Sequence, residues 1–183
     1  MNASLAVPYA TLTVAAVCVG VFFGTDFATV AYERSADDAF QLLSASFAHY
    51  DAVHLVTNVF TLIVLGTAAE HMVGRLRFMA VVLTTIAATM TLLDSQLQHY
   101  THYAGISPVN YALLGCLAGA WLHRHPARSA AIIAVLAASM FDQGFVTVAD
   151  TKPAWELHLV GFCIGALFGR VRPAPTRPAY GTT

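Results

Sequence analysis

The chain has 183 residues, of which 57% are hydrophobic and only 10% are charged, and its mean hydropathy is +0.64. Soluble domains carry about 25% charged residues, so this composition excludes an ordinary soluble protein and predicts an integral membrane protein. The net charge of −1 and the lack of a cluster of lysines and arginines give no support for nucleic-acid binding. Each cysteine lies within an apolar run, which predicts buried thiols rather than a disulfide framework: Cys18, Cys116 and Cys163.

Six apolar stretches, some only modestly long, qualify as membrane-spanning helices, each of which needs about 20 mostly apolar residues. They cover 5–24, 52–71, 78–93, 107–123, 129–148 and 155–171. The predicted fold class is an all-α membrane protein with a six-helix transmembrane domain at 1–172. A Pro-rich tail at 173–183 is expected to be disordered and cytoplasmic. The first stretch lacks a basic leading segment and a clear cleavage site, so we expect a retained span rather than a signal peptide.

The connection at 25–50 is the longest, and its amphipathic segment 36–47 is expected to lie on the membrane surface. Seven of the nine basic residues follow the second, fourth or sixth span, namely Arg75, Arg77, Arg124, Arg128, Arg170, Arg172 and Arg177. The positive-inside rule therefore places both termini in the cytoplasm. In this topology the second, fourth and sixth spans all begin on the outer side, so residues near their starts lie at similar depth.

Polar side chains recur near the outer ends of these three spans: His49, His54, Asn58, Ser107, Tyr111 and His158. His54 and Asn58 are four residues apart and share one helix face. Ionisable and amide groups are costly in a bilayer and usually face the interior of a helix bundle. We therefore expect these side chains to meet inside the bundle, below the outer membrane surface.

Glycines follow Ser107 and His158 at helical spacing: Gly115, Gly119, Gly161, Gly165 and Gly169. Stripes of small residues allow two helix backbones to approach closely in a membrane. A serine oxygen and an imidazole on separate helices reach hydrogen-bond distance only when the backbones are close. The glycines therefore favour contact between the fourth and sixth spans.

Each of these features also has a purely structural interpretation. Ser107 followed by Pro108 fits an N-cap with proline at the first helical position. A single membrane histidine is as often a packing or ligand residue as a base, and Tyr103 and Tyr111 could be aromatics of the membrane interface. The placement of several such residues at one depth on three helices favours a functional site.

Three segments together resemble the rhomboid intramembrane serine proteases. Residues 49–58, from His49 through His54 to Asn58, resemble the signature HxxxxHxxxN, and 105–115 resemble GxSGxxYALxG. Residues 158–165 resemble HxxGxxxG of the last span, and the likeness extends over about 39–169. The resemblance implies a six-helix rhomboid-like bundle and a small, divergent member of bacterial type.

By this resemblance Ser107 is the nucleophile and His158 its general base, a dyad without an acidic third member. A serine hydroxyl becomes an effective nucleophile when an adjacent base accepts its proton. Imidazole, with an ordinary pKa near 6.5, can take that proton and later return it to the leaving amine. Tyr111 is expected to pack on the His158 ring and hold its orientation.

The resemblance also implies an oxyanion hole formed by Asn58, His54 and the Ser107 backbone N–H. Gly105 would keep the loop narrow where the substrate backbone lies alongside. His49 would support the loop or a bound water rather than the chemistry.

The implied activity is endopeptidase cleavage of transmembrane segments in membrane-protein substrates, within the bilayer of the cell (inner or plasma) membrane. The resemblance implies no metal and no other cofactor, and it leaves the oligomeric state and the natural substrate open. The region from Phe141 to Trp155 would be the end of the gating fifth helix and the cap loop, both of which are mobile in the family.

The chain departs from the family pattern at two places. Pro108 stands where the family usually has glycine, and Phe40-Gln41 replaces a Trp-Arg pair. One alternative is therefore an inactive rhomboid-like protein that binds transmembrane clients. A second alternative is a metal- or haem-binding membrane protein that uses five of the histidines, namely His49, His54, His99, His102 and His158.

Overall fold

A computed structural model describes residues 6–36, 38–122, 124–145 and 154–170. Its elements in chain order are α1 (Tyr9–Gly24), α2 (Phe27–Val30), β1 (Tyr32–Glu33), a 3-10 turn (Arg34–Ala36), α3 (Ala39–Ser44), α4 (Ala52–Val73), α5 (Arg75–Ser95), β2 (His102–Tyr103), α6 (Ser107–Trp121), α7 (Pro126–Phe145) and α8 (Trp155–Arg170). The predicted all-helical class is confirmed. The two short strands pair antiparallel, with Tyr32 opposite Tyr103, and they join the first connection to the approach to α6.

Each of the six predicted spans coincides with a helix, namely α1, α4, α5, α6, α7 and α8. Two of them, α4 and α5, are long and apolar enough to cross a membrane, whereas α1 and the described Pro126–Ala138 part of α7 are shorter apolar helices. Length and composition thus support two spans, fewer than the six predicted. The predicted tail at 173–183 lies outside the described residues.

Helix α6 occupies the centre of the bundle, since it packs against α4, α5, α7 and α8. Ten of its fifteen residues are buried. The surrounding core is apolar and draws large, fully buried side chains from several helices, among them Leu62, Phe78, Val81, Leu113 and Leu157. Burial of such side chains stabilises the bundle where helices meet, and the central position of α6 fixes where its first residue lies.

The contact between α6 and α8 is closer than side chains would permit. A Cβ atom added at Gly161 would overlap the carbonyl oxygen of Pro108, and one added at Gly165 would overlap that of Ala112. The same backbone-to-backbone contact recurs along the pair at Gly115, Gly119 and Gly169. The prediction that the glycines allow close contact between these two helices is therefore confirmed, and the two backbones are in direct contact.

A buried carboxylate joins α1 to α4. Glu70 accepts hydrogen bonds from the Thr11 backbone N–H (2.8 Å), the Thr11 hydroxyl (2.8 Å) and the Ala10 N–H (3.2 Å). The guanidinium of Arg75 lies 3.7 Å from the same carboxylate. A buried acid is tolerated when its oxygens are hydrogen-bonded and its charge is paired, and these contacts meet that requirement.

The first connection is held by polar contacts on its inner side. Arg34 donates to four backbone carbonyl groups, two in the last turn of α5, where the helix leaves carbonyls unsatisfied, and two in the segment that follows: Leu93, Asp94, Leu97 and Tyr100. The buried amide of Gln41 accepts from Glu33 N–H (2.9 Å) and donates to Ala28 O (3.3 Å). Gln41 is thus held in place by two neutral hydrogen bonds.

Helix α3 is shorter than the predicted segment 36–47, because it begins at Ala39 and ends at Ser44. Its apolar side chains Phe40 and Leu43 are each 57% exposed, while Gln41 and Ser44 are buried. This distribution is the reverse of that in a soluble protein and suits a helix whose outer face contacts lipid.

The expectation for the cysteines is wrong at one of three positions. Cys18 and Cys116 are buried, but Cys163 is exposed. Cys163 lies on α8 between Gly161 and Gly165, whose face is turned towards α6, so its own side chain faces away from the bundle.

Gly165→Ala should destabilise the fold, because its methyl group would overlap the Ala112 carbonyl and force the helices apart. Overpacking of this kind costs about 1–3 kcal/mol. Gly20→Ala in α1 is the matched control: its added Cβ meets nothing within 4 Å, and alanine is the better helix former. Thermal unfolding in detergent should show a lower midpoint for Gly165→Ala only. Equal midpoints would contradict the close contact.

Candidate functional site

Ser107 and His158 meet where α6 and α8 begin. The Ser107 Oγ lies 2.8 Å from His158 Nε2, and the imidazole is buried with 8% exposure. The N-cap of α6 is Ile106, which makes no side-chain cap hydrogen bond, so the alternative in which Ser107 is the cap is wrong. Ser107 is already the first helical residue, and its hydroxyl is directed to another helix instead of its own backbone.

The aromatic ring of Tyr111 stacks on the imidazole of His158, with centroids 4.4 Å apart and planes inclined by 20°. Tyr111 lies one helical turn after Ser107, so a single face of α6 supplies both contacts to the same ring. The stacked ring restricts rotation of the imidazole about its side-chain bonds. His158 is thereby held with Nε2 towards Ser107.

His54 is enclosed by two rings and a backbone segment. The Tyr50 ring stacks on it at 5.7 Å, and the His49 ring approaches it edge-on at 5.1 Å. Gly105 has φ +132°, a conformation that favours glycine, and a Cβ there would lie 3.0 Å from His54 Cε1. Gly105 therefore lets the loop before Ser107 pass directly over the His54 imidazole.

His49 is 2% exposed, and its Nδ1 lies 3.1 Å from the Phe47 carbonyl. Burial, with a smaller effect from nearby His54, lowers the pKa of His49 to about 4, although the Phe47 carbonyl opposes the shift. The imidazole is therefore neutral near pH 7, with its proton on Nδ1. Its Nε2 has no hydrogen-bond partner among the described residues, and His49 lines a cavity of about 100 Å³ beside Phe22 and Phe27.

Asn58 and Asn110 form a buried pair of amides between α4 and α6. The Asn58 Nδ2 donates to the His54 carbonyl (3.0 Å). The Asn110 Nδ2 donates to both the side-chain Oδ1 (3.0 Å) and the backbone carbonyl (3.1 Å) of Asn58. Sequence reasoning missed Asn110. Its signal was an amide one turn after Ser107 in an apolar helix, where polar groups are costly.

The start of α6 leaves one backbone donor unused. The Ser107 N–H makes no hydrogen bond within the part of the chain that the structure describes. Pro108, the second helical residue, has no N–H to satisfy. An unpaired N–H at the positive end of a helix is suited to binding negative charge.

The remaining histidines of the metal-binding alternative lie elsewhere. His99 is 3.6 Å from Glu156, and His102 is 4.0 Å from Glu33, both on the connections outside the site. Among the described residues no three histidine, cysteine, aspartate or glutamate side chains form a group that could hold a metal ion. The described geometry gives that alternative no support.

The bundle of apolar helices encloses a polar site in which a serine is hydrogen-bonded to a buried histidine. These features place the chain among helical membrane proteins with a polar site inside the bundle. The model of the Rhomboid domain family matches residues 36–174, well over half of the chain. The chain therefore belongs to the rhomboid family. Members of this family are generally serine intramembrane proteases that act on membrane-protein substrates in the bilayer. A comparison with curated proteins finds no match.

The stability of the fold should fall as pH drops from about 6.5 towards 4. In this window an unfolded His49, with a pKa near 6.5, binds a proton that the folded protein excludes until its pKa of about 4. Acid thus favours the unfolded state. His49→Gln should be less stable at pH 7 but lose less stability on acidification.

Thermal unfolding in detergent between pH 7 and 4.5 measures this effect, with His102→Gln as an exposed control on the connection between α5 and α6. His54 also lies against His49, so the slopes of stability against pH are compared rather than single values. Identical pH slopes for wild type and His49→Gln would contradict the prediction.

Proposed function

We propose that this protein is an intramembrane serine endopeptidase that cleaves transmembrane segments of membrane-protein substrates with Ser107 and His158. The observation that carries the proposal is the 2.8 Å contact between Ser107 Oγ and His158 Nε2. The family resemblance and family membership favour the same two residues. Ser107 makes no capping hydrogen bond, so its contact with the buried His158 is not a consequence of helix capping.

In the proposed reaction the Ser107 oxygen attacks the carbonyl carbon of the scissile peptide bond. As the Oγ–C bond forms, the hydroxyl proton passes to His158 Nε2. Collapse of the tetrahedral intermediate breaks the C–N bond, and the imidazolium returns the proton to the leaving amine. Water then attacks the acyl ester with the same imidazole as base, which releases the second product and restores Ser107.

The negative oxygen of the tetrahedral intermediate would be stabilised by three donors. The unpaired Ser107 N–H stands beside the nucleophile, and the Asn58 amide and the His54 ring lie on the neighbouring helix. Neutral donors fixed in a low-dielectric site are effective because they need no reorganisation during the reaction. His49 and Gly105 both lie against His54, so we assign them to its support, and Gly105 also leaves space beside the Ser107 Oγ that a Cβ would enter.

The site would lie below the outer surface of the cell membrane. We propose six spans with both termini in the cytoplasm, because seven of the nine basic residues then lie on the inner side. Helices α4, α6 and α8 all begin at the site, which this topology places at one depth. A wet cavity there would supply water for hydrolysis.

The inactive client-binding alternative depended on Pro108, and the geometry around this residue weakens it. As the second helical residue, Pro108 removes no helix hydrogen bond. Its carbonyl packs against Gly161, so it takes part in the contact that brings Ser107 towards His158. Proline at this position is thus compatible with the proposed dyad.

A fluorophosphonate probe should label the wild-type protein in detergent and should not label Ser107→Ala, because the probe reacts with an activated serine. Ser129→Ala is the control, since this buried hydroxyl donates to the Ala118 carbonyl and lies away from His158. Folded wild type that remains unlabelled would favour the inactive alternative. Labelling that persists in Ser107→Ala would identify another nucleophile.

Asn58→Ala should lower kcat for a transmembrane test substrate by ~10²–10³, the usual effect of losing one oxyanion donor, with a smaller effect on KM. Thr61→Val is the matched control on the same helix, because the Thr61 hydroxyl bonds only the Thr57 carbonyl of its own α4. Cleavage in proteoliposomes provides the measurement. An unchanged kcat in folded Asn58→Ala would remove Asn58 from the oxyanion hole.

A further inference from the structure

We propose that Asn110 is a positioning residue that fixes the orientation of the Asn58 amide, so that an N–H rather than the carbonyl oxygen faces the reacting atoms. This inference rests on the proposed function. Position 110 is unspecified in the segment GxSGxxYALxG that the chain resembles, so the role is argued from this chain's own contacts.

The contacts define which end of each amide is the donor. A backbone carbonyl only accepts, so the atom of Asn110 that lies 3.1 Å from the Asn58 carbonyl must be its Nδ2. The same Nδ2 lies 3.0 Å from the Asn58 side chain, whose atom at that end must therefore be Oδ1. The other end of the Asn58 amide is its Nδ2, which donates to the His54 carbonyl at 3.0 Å.

The positions of Asn58 on α4 and Asn110 on α6 determine which way the Asn58 amide points relative to Ser107. Asn110 lies one turn after Ser107 on α6, and His54 lies one turn before Asn58 on α4. The Asn58 oxygen is therefore drawn away from the level of Ser107, while its nitrogen is drawn towards the start of α4. One N–H of that nitrogen serves the His54 carbonyl, and the second remains for the oxyanion.

Without Asn110, the Asn58 amide would lose one of the two contacts that distinguish its ends and would keep only the donation from its Nδ2 to the His54 carbonyl. An amide turned by 180° would present Oδ1 to a developing negative charge, which is repulsive. In the present structure that turn would set the Nδ2 groups of Asn58 and Asn110 against each other, leaving buried donors unpaired. Both residues are buried, with exposures of 7% and 5%, so water cannot readily relieve the mismatch.

A merely structural role is the competing explanation, because interhelical hydrogen bonds join α4 to α6 and such bonds contribute about 0.6 kcal/mol each in membranes. A structural role predicts a loss of thermal stability without a specific loss of turnover. A positioning role predicts that the effect of Asn110 on kcat passes through Asn58.

The first experiment measures cleavage of a transmembrane test substrate in proteoliposomes. Asn110→Leu should lower kcat about tenfold or more, a part of the full oxyanion-donor effect, with KM nearly unchanged. In an Asn58→Ala background the same substitution should have no further effect on kcat. Equal fold losses in both backgrounds would overturn the proposal.

Two further variants keep this experiment interpretable. Asn110→Ala tests the proposal if Asn110→Leu does not fold, because alanine removes the two N–H donors, favours the helix and introduces neither a larger side chain nor a buried charge. Thr89→Val is the control for loss of a buried polar group, since the Thr89 hydroxyl bonds only carbonyls of its own α5. Its kcat should match wild type.

The second experiment does not depend on catalysis. The chain contains three asparagines, Asn2, Asn58 and Asn110, so selective ¹⁵N labelling of asparagine gives three side-chain amide signals by NMR. Asn110→Leu should shift the Asn58 signal and speed its exchange with water, and an unchanged Asn58 signal would overturn the proposal.

A wild type that neither cleaves nor reacts with fluorophosphonate would instead contradict the proposed function. The NMR result would still decide whether Asn110 orients Asn58.

Discussion

Helices α6 and α8 pack backbone against backbone. Carbonyl oxygens of each helix lie where a side chain on the other helix would otherwise be. Five glycines make this possible, three on α8 and two on α6, and each faces a backbone carbonyl of the partner helix. Contacts between Cα–H groups and carbonyl oxygens contribute about 0.5–1 kcal/mol each, so the interface is stabilised without large side chains. The spacing of Ser107 and His158 depends on this approach, because each lies at the start of its helix.

Several polar groups inside the bundle have defined partners. Glu70 accepts from backbone and hydroxyl donors of α1, Asn110 donates to Asn58, and Asn58 donates to the His54 carbonyl. In a low-dielectric interior such contacts are directional constraints as well as sources of stability. The proposed site therefore stands on rigid helices, whose positions vary less than those of loops.

The helices and the α6–α8 contact could be predicted from the sequence. The length of an apolar stretch indicates a helix, and glycines at helical spacing indicate the face on which two helices pack closely. The Ser107 and His158 positions followed from motif spacing. The Asn110 contact did not, since it depends on the rotation of α4 relative to α6 and on side-chain rotamers. The exposure of Cys163 and the N-cap at Ile106 were missed for related reasons: burial depends on which helix face meets a neighbour, and a cap depends on local backbone angles.

Because the α6–α8 contact is made by backbone atoms, it restricts substitution at some positions and not at others. On the glycine side any side chain collides with a neighbouring carbonyl, so Gly161, Gly165 and Gly169 should be nearly invariant among functional variants. On the opposite side the contacting atoms are the carbonyls of Pro108, Ala112 and Cys116, which every amino acid possesses. Gly115 and Gly119 of α6 are constrained in the same way, because a Cβ there would overlap carbonyls of α8. Mutational tolerance should therefore differ from position to position along each helix. The distance between Ser107 and His158 depends on the glycine positions, and not on the identity of the residues that supply the opposing carbonyls.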